Sequence, residues 1–149
     1  TVYANDINST DITLLGVDSN QNGVRDDYEL AIRDLTKDPL ELSRLKYAGV
    51  VYHNLLSAYQ TSLTRELTTA ELKQLLADGS VIEMCQSGLT AREVNFPKVK
   101  HLFFNTLERT KARWKVDKQI SAVIDYEYIP DAKRDWCALL DQQAKQLGL

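Results

Sequence analysis

Twelve residues, Asp18-Ser-Asn20-Gln-Asn22-Gly23-Val24-Arg25-Asp26-Asp27-Tyr28-Glu29, constrain this chain more than any other segment. Oxygen-bearing groups fall at the first, third, fifth, seventh, ninth and twelfth positions. They are the side chains of Asp18, Asn20 and Asn22, the Val24 carbonyl, Asp26 (directly or through a water) and Glu29. Gly23, sixth in the loop, supplies the backbone freedom a sharp turn needs, and an acid at the twelfth position can close a coordination shell with two oxygens. Hard oxygen ligands in this order suit Ca2+, so these six residues are the predicted metal ligands. Asp, Asn and Gly are also what any surface turn favours. What sets this loop apart is that every specified position of the calcium pattern is filled and an amphipathic helix follows at once.

The loop resembles those of EF-hands, and more closely the single-helix calcium loops of dockerin and thrombospondin type 3 repeats. Arg25 stands at the eighth position, where paired EF-hands carry an aliphatic residue that bridges to a partner loop. The preceding segment, Asp11-Ile-Thr-Leu-Leu-Gly16-Val, is β-prone and interrupted by glycine, so no entering helix is expected. No second loop accompanies it: Asp125-Tyr-Glu127-Tyr-Ile-Pro130-Asp131 has alternating acids but no glycine turn. A lone loop argues against opening in the manner of calmodulin. Three carboxylates and two neutral amides favour a weak site suited to calcium-rich surroundings.

The length of 149 residues is that of one domain, 1–149, large enough to bury a real core. No run of about eighteen apolar residues predicts a transmembrane helix. The opening Thr1-Val-Tyr lacks a methionine, as expected after signal removal or trimming. Cys85 and Cys137 are the only cysteines, and no histidine neighbours either, which argues against zinc. They are either two buried thiols or one disulfide; an exported calcium protein with an even cysteine count favours the disulfide. Charge is uneven: residues 1–91 carry 7 basic and 13 acidic groups, 92–118 carry 8 and 3, and 119–149 carry 3 and 5. The basic stretch is Arg92, Lys98, Lys100, Arg109, Lys111, Arg113, Lys115 and Lys118. These side chains are dispersed around a helix in an acidic protein with no recognition motif. They read as a solvated face complementing the acidic half, and no nucleic-acid partner is expected.

Beyond the loop every signal is helical. A first helix is predicted from near Asp26 to about Lys37, burying Tyr28, Ile32 and Leu35, with calcium at its N-terminus. Asp38-Pro39-Leu40-Glu41 is a helix restart with an Asp cap, Pro in the first turn and Glu placed for a capping box. The second helix runs to about Leu63 with Leu45, Ala48, Tyr52, Leu55, Leu56, Tyr59 and Leu63 on one stripe. Thr68-Thr-Ala-Glu71 is a capping box opening a third helix, which either breaks at Asp78-Gly79-Ser80 or continues to Cys85, with Gly88-Leu89 as its stop. One long helix after Pro97 bears Val99, Leu102, Phe103, Leu107 and Trp114 and extends toward Tyr126. A last helix, capped by Asp131, presents Trp136, Leu139, Leu140 and Leu147 before Gly148. The expected fold is all-α: a compact irregular bundle of four to five helices preceded by the calcium-loop segment. A Cys85–Cys137 bond would staple the last helix to the middle of that bundle.

No catalytic constellation stands out. His53 and His101 lie on separate helices, and His53, beside the Tyr52–Leu56 stripe, reads as a partly buried, hydrogen-bonded side chain. There is no HExxH, nucleophile elbow or phosphate loop. Asp125 and Glu127 read as a helix end, and Glu108-Arg109 as ordinary surface decoration. The loop Asn20 to Asp27 followed by a helix and then by Asn105-Thr106-Leu107-Glu108-Arg109 resembles a set of small exported bacterial proteins of unassigned function. The resemblance covers about a quarter of the chain and implies a periplasmic or secreted location without an activity. The expected function is therefore non-enzymatic recognition of another protein, an immunity-type inhibitor being one version. A small hydrolase using calcium for stability or substrate contact is the alternative.

Overall fold

The computed structural model describes residues 13–87, 96–124 and 130–149, and among these it is all helical, with no strand. Six helices follow in order: α1 Asp26–Leu35, α2 Pro39–Ser62, α3 Thr69–Ser87, α4 Phe96–Phe103, α5 Leu107–Val123 and α6 Trp136–Gln146. The long α2 is the hub and packs against all five others, while α3 lies between α6 and α5. Helix α2 therefore buries more than one face along its middle turns, which is why its predicted stripe is too narrow. Tyr47, Gly49 and Val51 are buried as well as Leu45, Ala48, Tyr52 and Leu56, whereas Leu63 is exposed.

Local chemistry accounts for most helix boundaries. Asp38 accepts the Leu40 N–H at 3.3 Å with Pro39 in the first turn. The capping box at α3 is complete: Thr68 Oγ1 accepts the Glu71 N–H at 3.1 Å, and Glu71 Oε1 accepts the Thr68 N–H at 3.4 Å. Helix α3 runs unbroken through Gly79. At the other end of the chain Gly148, with φ of 77°, donates to the Lys145 carbonyl, while Leu149 donates to Ala144.

Two expectations need correction. The single long helix after Pro97 is two helices, broken at Phe104-Asn105-Thr106. Thr106 caps α5 by accepting the Arg109 N–H at 3.2 Å. Carbonyls freed at the end of α4 find side-chain donors, Arg25 at Phe103 O and Thr110 at Phe104 O. The last helix is capped by Asp135, which accepts the Ala138 N–H at 3.0 Å, and not by Asp131. Asp131 organises the preceding turn, accepting the Lys133 N–H and, through its carbonyl, the Trp136 indole. The stop at Gly88-Leu89, together with Arg92, Asp125 and Glu127, lies outside the described residues.

The main core gathers Tyr28 and Ile32 of α1, Leu45, Tyr52 and Leu56 of α2, Phe96, Val99, Phe103 and Phe104 around α4, and Leu140 of α6. Each such side chain contributes roughly 1.5–3 kcal/mol by leaving water. Tyr28 reaches α2 closely because position 49 is glycine: a Cβ there would stand 2.6 Å from the Tyr28 ring. Its hydroxyl donates to the Leu45 carbonyl at 2.6 Å, and burial drives its pKa well above the ordinary value. Leu67, Leu72, Val116 and Ile120 form a second, smaller cluster. Cys85 of α3 and Cys137 of α6 are bonded as a disulfide across 52 residues of chain, and no free cysteine remains. Helix α6 is also tied to α2 by the two-pronged Arg44–Asp141 pair, both contacts at 2.8 Å. No helix among the described residues is long and apolar enough to cross a membrane.

Candidate calcium loop

Residues 13–25 contain no helix, so among the described residues no helix runs into the loop from its N-terminal side. The backbone is wound tightly. Gln21 and Gly23 are left-handed, with φ of 56° and 83°, and the Asp26 N–H closes the turn onto the Val17 carbonyl at 2.8 Å. Asp18 accepts from Asn22 N at 3.3 Å and Gly23 N at 2.8 Å, so its carboxylate sits where the chain curls around it. Asn20 Oδ1 accepts from Asn22 N at 3.3 Å, and Asn22 Oδ1 from Val24 N at 2.9 Å.

The predicted ligands thus share one loop, but their charged groups are engaged separately. Asp26 accepts from the Ser19 N–H at 3.0 Å and from its hydroxyl. Glu29 is nearly buried, and its Oε1 meets Asn22 Nδ2 at 3.2 Å, Arg33 at 3.1 Å and Lys46 at 3.6 Å. Among the described residues no three His, Cys, Asp or Glu side chains converge as a metal-holding group. A calcium shell here would combine carboxylates with the Asn20 and Asn22 amide oxygens and the Val24 carbonyl. Asn22, Asp26 and Glu29 would there exchange the partners they hold here for the cation, on a backbone already wound.

The loop is bolted to the corner between α4 and α5 by residues whose burial the sequence reading missed. Arg25, read as a departure from the loop pattern, is wholly buried. It pairs with Asp27, donates to Phe103 O at 2.8 Å and Asn105 Oδ1 at 3.4 Å, and lies 4.4 Å over the Phe103 ring. Arg109, read first as part of a solvated basic face and again as surface decoration beside Glu108, is wholly buried too. Its guanidinium donates to Asn105 Oδ1 at 2.6 Å, Thr13 O at 2.7 Å and Leu14 O at 3.1 Å, with Asp27 at 3.9 Å. Asn105 Nδ2 completes the ring by donating to Asp27 at 3.3 Å. Gly16, with φ of 67°, lets the chain pass this cluster, since a Cβ would overlap Arg25 and stand 3.1 Å from Arg109. The two segments singled out together, Asn20 to Asp27 and Asn105 to Arg109, therefore meet in space. That pairing was the one signal available in the sequence.

His53 departs from its expected hydrogen-bonded state: its buried Nδ1 has no partner. Burial holds its pKa below the ordinary value, with Asp18 pulling up and Arg25 down.

A second feature lies away from the loop. A cleft of about 510 Å³ opens between α2, α3, α4 and α5. Tyr52, Phe96, Phe104 and Ile120 contribute apolar surface, and Glu83, Lys100, Arg113 and Asp117 bring charge to it. The Arg113 guanidinium lies 5.2 Å over the Phe104 ring, and its buried Nε has no partner. Desolvation raises the Asp117 pKa against the opposing pull of Lys100 and Arg113. Trp114 and Leu107, at 58% and 63% exposure, occupy the outer face of α5 with Lys111 and Lys118. The chain matches no protein-family model, no curated protein and no solved structure.

Proposed function

We propose that this chain is an exported calcium-binding protein that acts by non-enzymatic recognition of another protein, with the metal holding the N-terminal loop rigid. The observation that carries the calcium reading is the loop backbone: Asp18 already lies at the centre of a turn built on left-handed Gln21 and Gly23. Its oxygens are hard donors of the kind Ca2+ takes. The Cys85–Cys137 bond supports an oxidising, periplasmic or secreted setting. The outer face of α5 supports the recognition reading, because an exposed Trp and Leu among lysines suit an acidic protein surface. An immunity-type inhibitor is one concrete form of such a protein.

Calcium titration calorimetry, paired with thermal melting in calcium and in chelator, tests the metal. Binding to the folded form alone stabilises it by roughly 2.7 kcal/mol at a hundredfold excess over the dissociation constant. Asp18→Ala should abolish the shift. No heat and an unchanged midpoint would refute the site. Pull-down from a native envelope fraction, with Trp114→Ala and Lys111→Glu as controls, tests recognition through α5; a partner retained equally by both variants would refute that face.

The cleft favours a second reading, a small hydrolase in which Glu83 and Asp117 supply acid and base. Turnover on a panel of ester, amide and glycoside substrates, lost in Glu83→Gln or Asp117→Asn, would replace the recognition reading with this one.

A further inference from the structure

We infer that the cleft between α2, α3, α4 and α5 binds a small amphiphilic monoanion: an acidic head group carried on an apolar or aromatic body. This requires neither calcium nor turnover and stands apart from the recognition reading above.

The volume, about 510 Å³, falls among small-molecule sites, which run from roughly 300 to 1,000 Å³ and combine apolar walls with a few polar groups. Tyr52, Phe96, Phe104 and Ile120 can cover an apolar body. The head group is specified by charge. Lys100 on α4 and Arg113 on α5 both act on Asp117, so one carboxylate answers two cations on that side of the cleft. Arg113 stacks on Phe104, and since its unpaired Nε is closed to solvent, an incoming acid meets Lys100 and the outer end of the guanidinium. Glu83, on the opposite wall formed by α3, brings the charge of the lining to zero, so an acidic head group is directed to the Lys100 and Arg113 side and a second negative charge is disfavoured.

Helix α3 adds an independent observation. Gly79 stands in the interior of a 19-residue helix, where glycine is destabilising relative to alanine. Nothing in the backbone or the packing asks for it: its φ is not left-handed, and a Cβ would meet no atom within 4 Å. It lines the cleft beside Ser80, whose hydroxyl folds back onto the Leu76 carbonyl at 2.7 Å. Two small side chains thus keep the α3 wall of the cleft open, at a cost to the helix that the fold itself does not explain.

The test is a fluorescence titration of the full, disulfide-bonded chain with anilinonaphthalene sulfonate, an aromatic monoanion, at low salt. Saturable binding of one probe per chain is expected, displaced by decanoate and not by decyltrimethylammonium. Gly79→Leu fills open space with a better helix former, so its thermal midpoint should equal or exceed that of the wild type while probe affinity falls at least tenfold. Lys100→Gln and Arg113→Gln should each weaken binding about tenfold. Absence of saturable binding, displacement by the cation as readily as by the anion, or undiminished affinity in a fully folded Gly79→Leu would overturn the proposal. Should Gly79→Leu melt lower than the wild type, Lys100→Gln decides, because Lys100 is exposed on α4 and its loss leaves the core untouched. Unchanged affinity in that variant would equally overturn it.

Discussion

Asp27→Ala should be among the most damaging single substitutions outside the apolar core. The Asp27 side chain is 9% exposed and faces Arg25 and Arg109, whose side chains are not exposed at all. Removing it takes away the carboxylate shared by two desolvated guanidinium groups and leaves Asn105 Nδ2 without the acceptor it uses here. Deleting one partner of a buried ion pair costs roughly 3–5 kcal/mol, a large fraction of the about 5–15 kcal/mol that holds a domain folded. At about 2–4 °C per kcal/mol for a chain of this size, the midpoint should fall by roughly 6–20 °C. Urea unfolding followed by far-UV circular dichroism measures the loss directly, with the disulfide intact and a chelator present to keep the loop free of metal. The loss should persist at high salt, since buried pairs are screened far less than exposed ones. Adding Arg25→Met to Asp27→Ala should cost less than the sum of the two single changes, because Arg25 then no longer stands as a buried unpaired charge and only Arg109 lacks the carboxylate. A loss below about 1 kcal/mol at an unchanged denaturant slope would show that the cluster is not the clamp its geometry describes.

Gly16→Ala should destabilise by more than about 1 kcal/mol, because it meets Arg25 and forces a side chain into the left-handed region; equal midpoints would refute this. Replacing both cysteines by serine should cost roughly 4 kcal/mol in the chain-entropy account of a 52-residue separation, read as a shift in the urea midpoint. Alkaline titration should show held-back tyrosines. Burial raises Tyr28, Tyr52 and Tyr47, the last to about 12, so the stability they confer is complete below pH 10 and is lost as pH rises toward 12. Tyrosinate absorbance should therefore lag for at least these three of the 7 tyrosines until the protein unfolds. Full ionisation near pH 10 in a still-folded chain would contradict their burial.

The helices that announce themselves locally were legible in sequence. Asp38-Pro39 and Thr68 to Glu71 carry their own capping chemistry, and Gly148 supplies a left-handed stop wherever the bundle places it. The break between α4 and α5 was hidden because it depends on Arg25, nearly eighty residues away, to satisfy a carbonyl that a continuous helix would have used. For the same reason the candidate site was only half readable. The loop residues could be named from spacing alone, but Arg25 and Arg109 look like surface cations until tertiary packing buries them. The cleft was illegible for another reason. Its walls come from four helices, and Gly79, its clearest local mark, reads in one dimension as an optional helix break.

The contacts that bind Arg25 and Arg109 across the bundle join residues 78 to 96 positions apart. A chain delivered from its N-terminus presents the loop long before Phe103, Asn105 and Arg109 emerge to receive it. Until then Arg25 is a hydrated cation on an undocked segment, with only its neighbour Asp27 at hand, and closing so long a span carries an entropic cost that only the finished α4–α5 corner repays. The N-terminal segment is in this sense a latch that must wait for its catch. Its amides should therefore exchange with solvent through an opening of their own, at lower free energy than those of α2, around which the remainder is assembled.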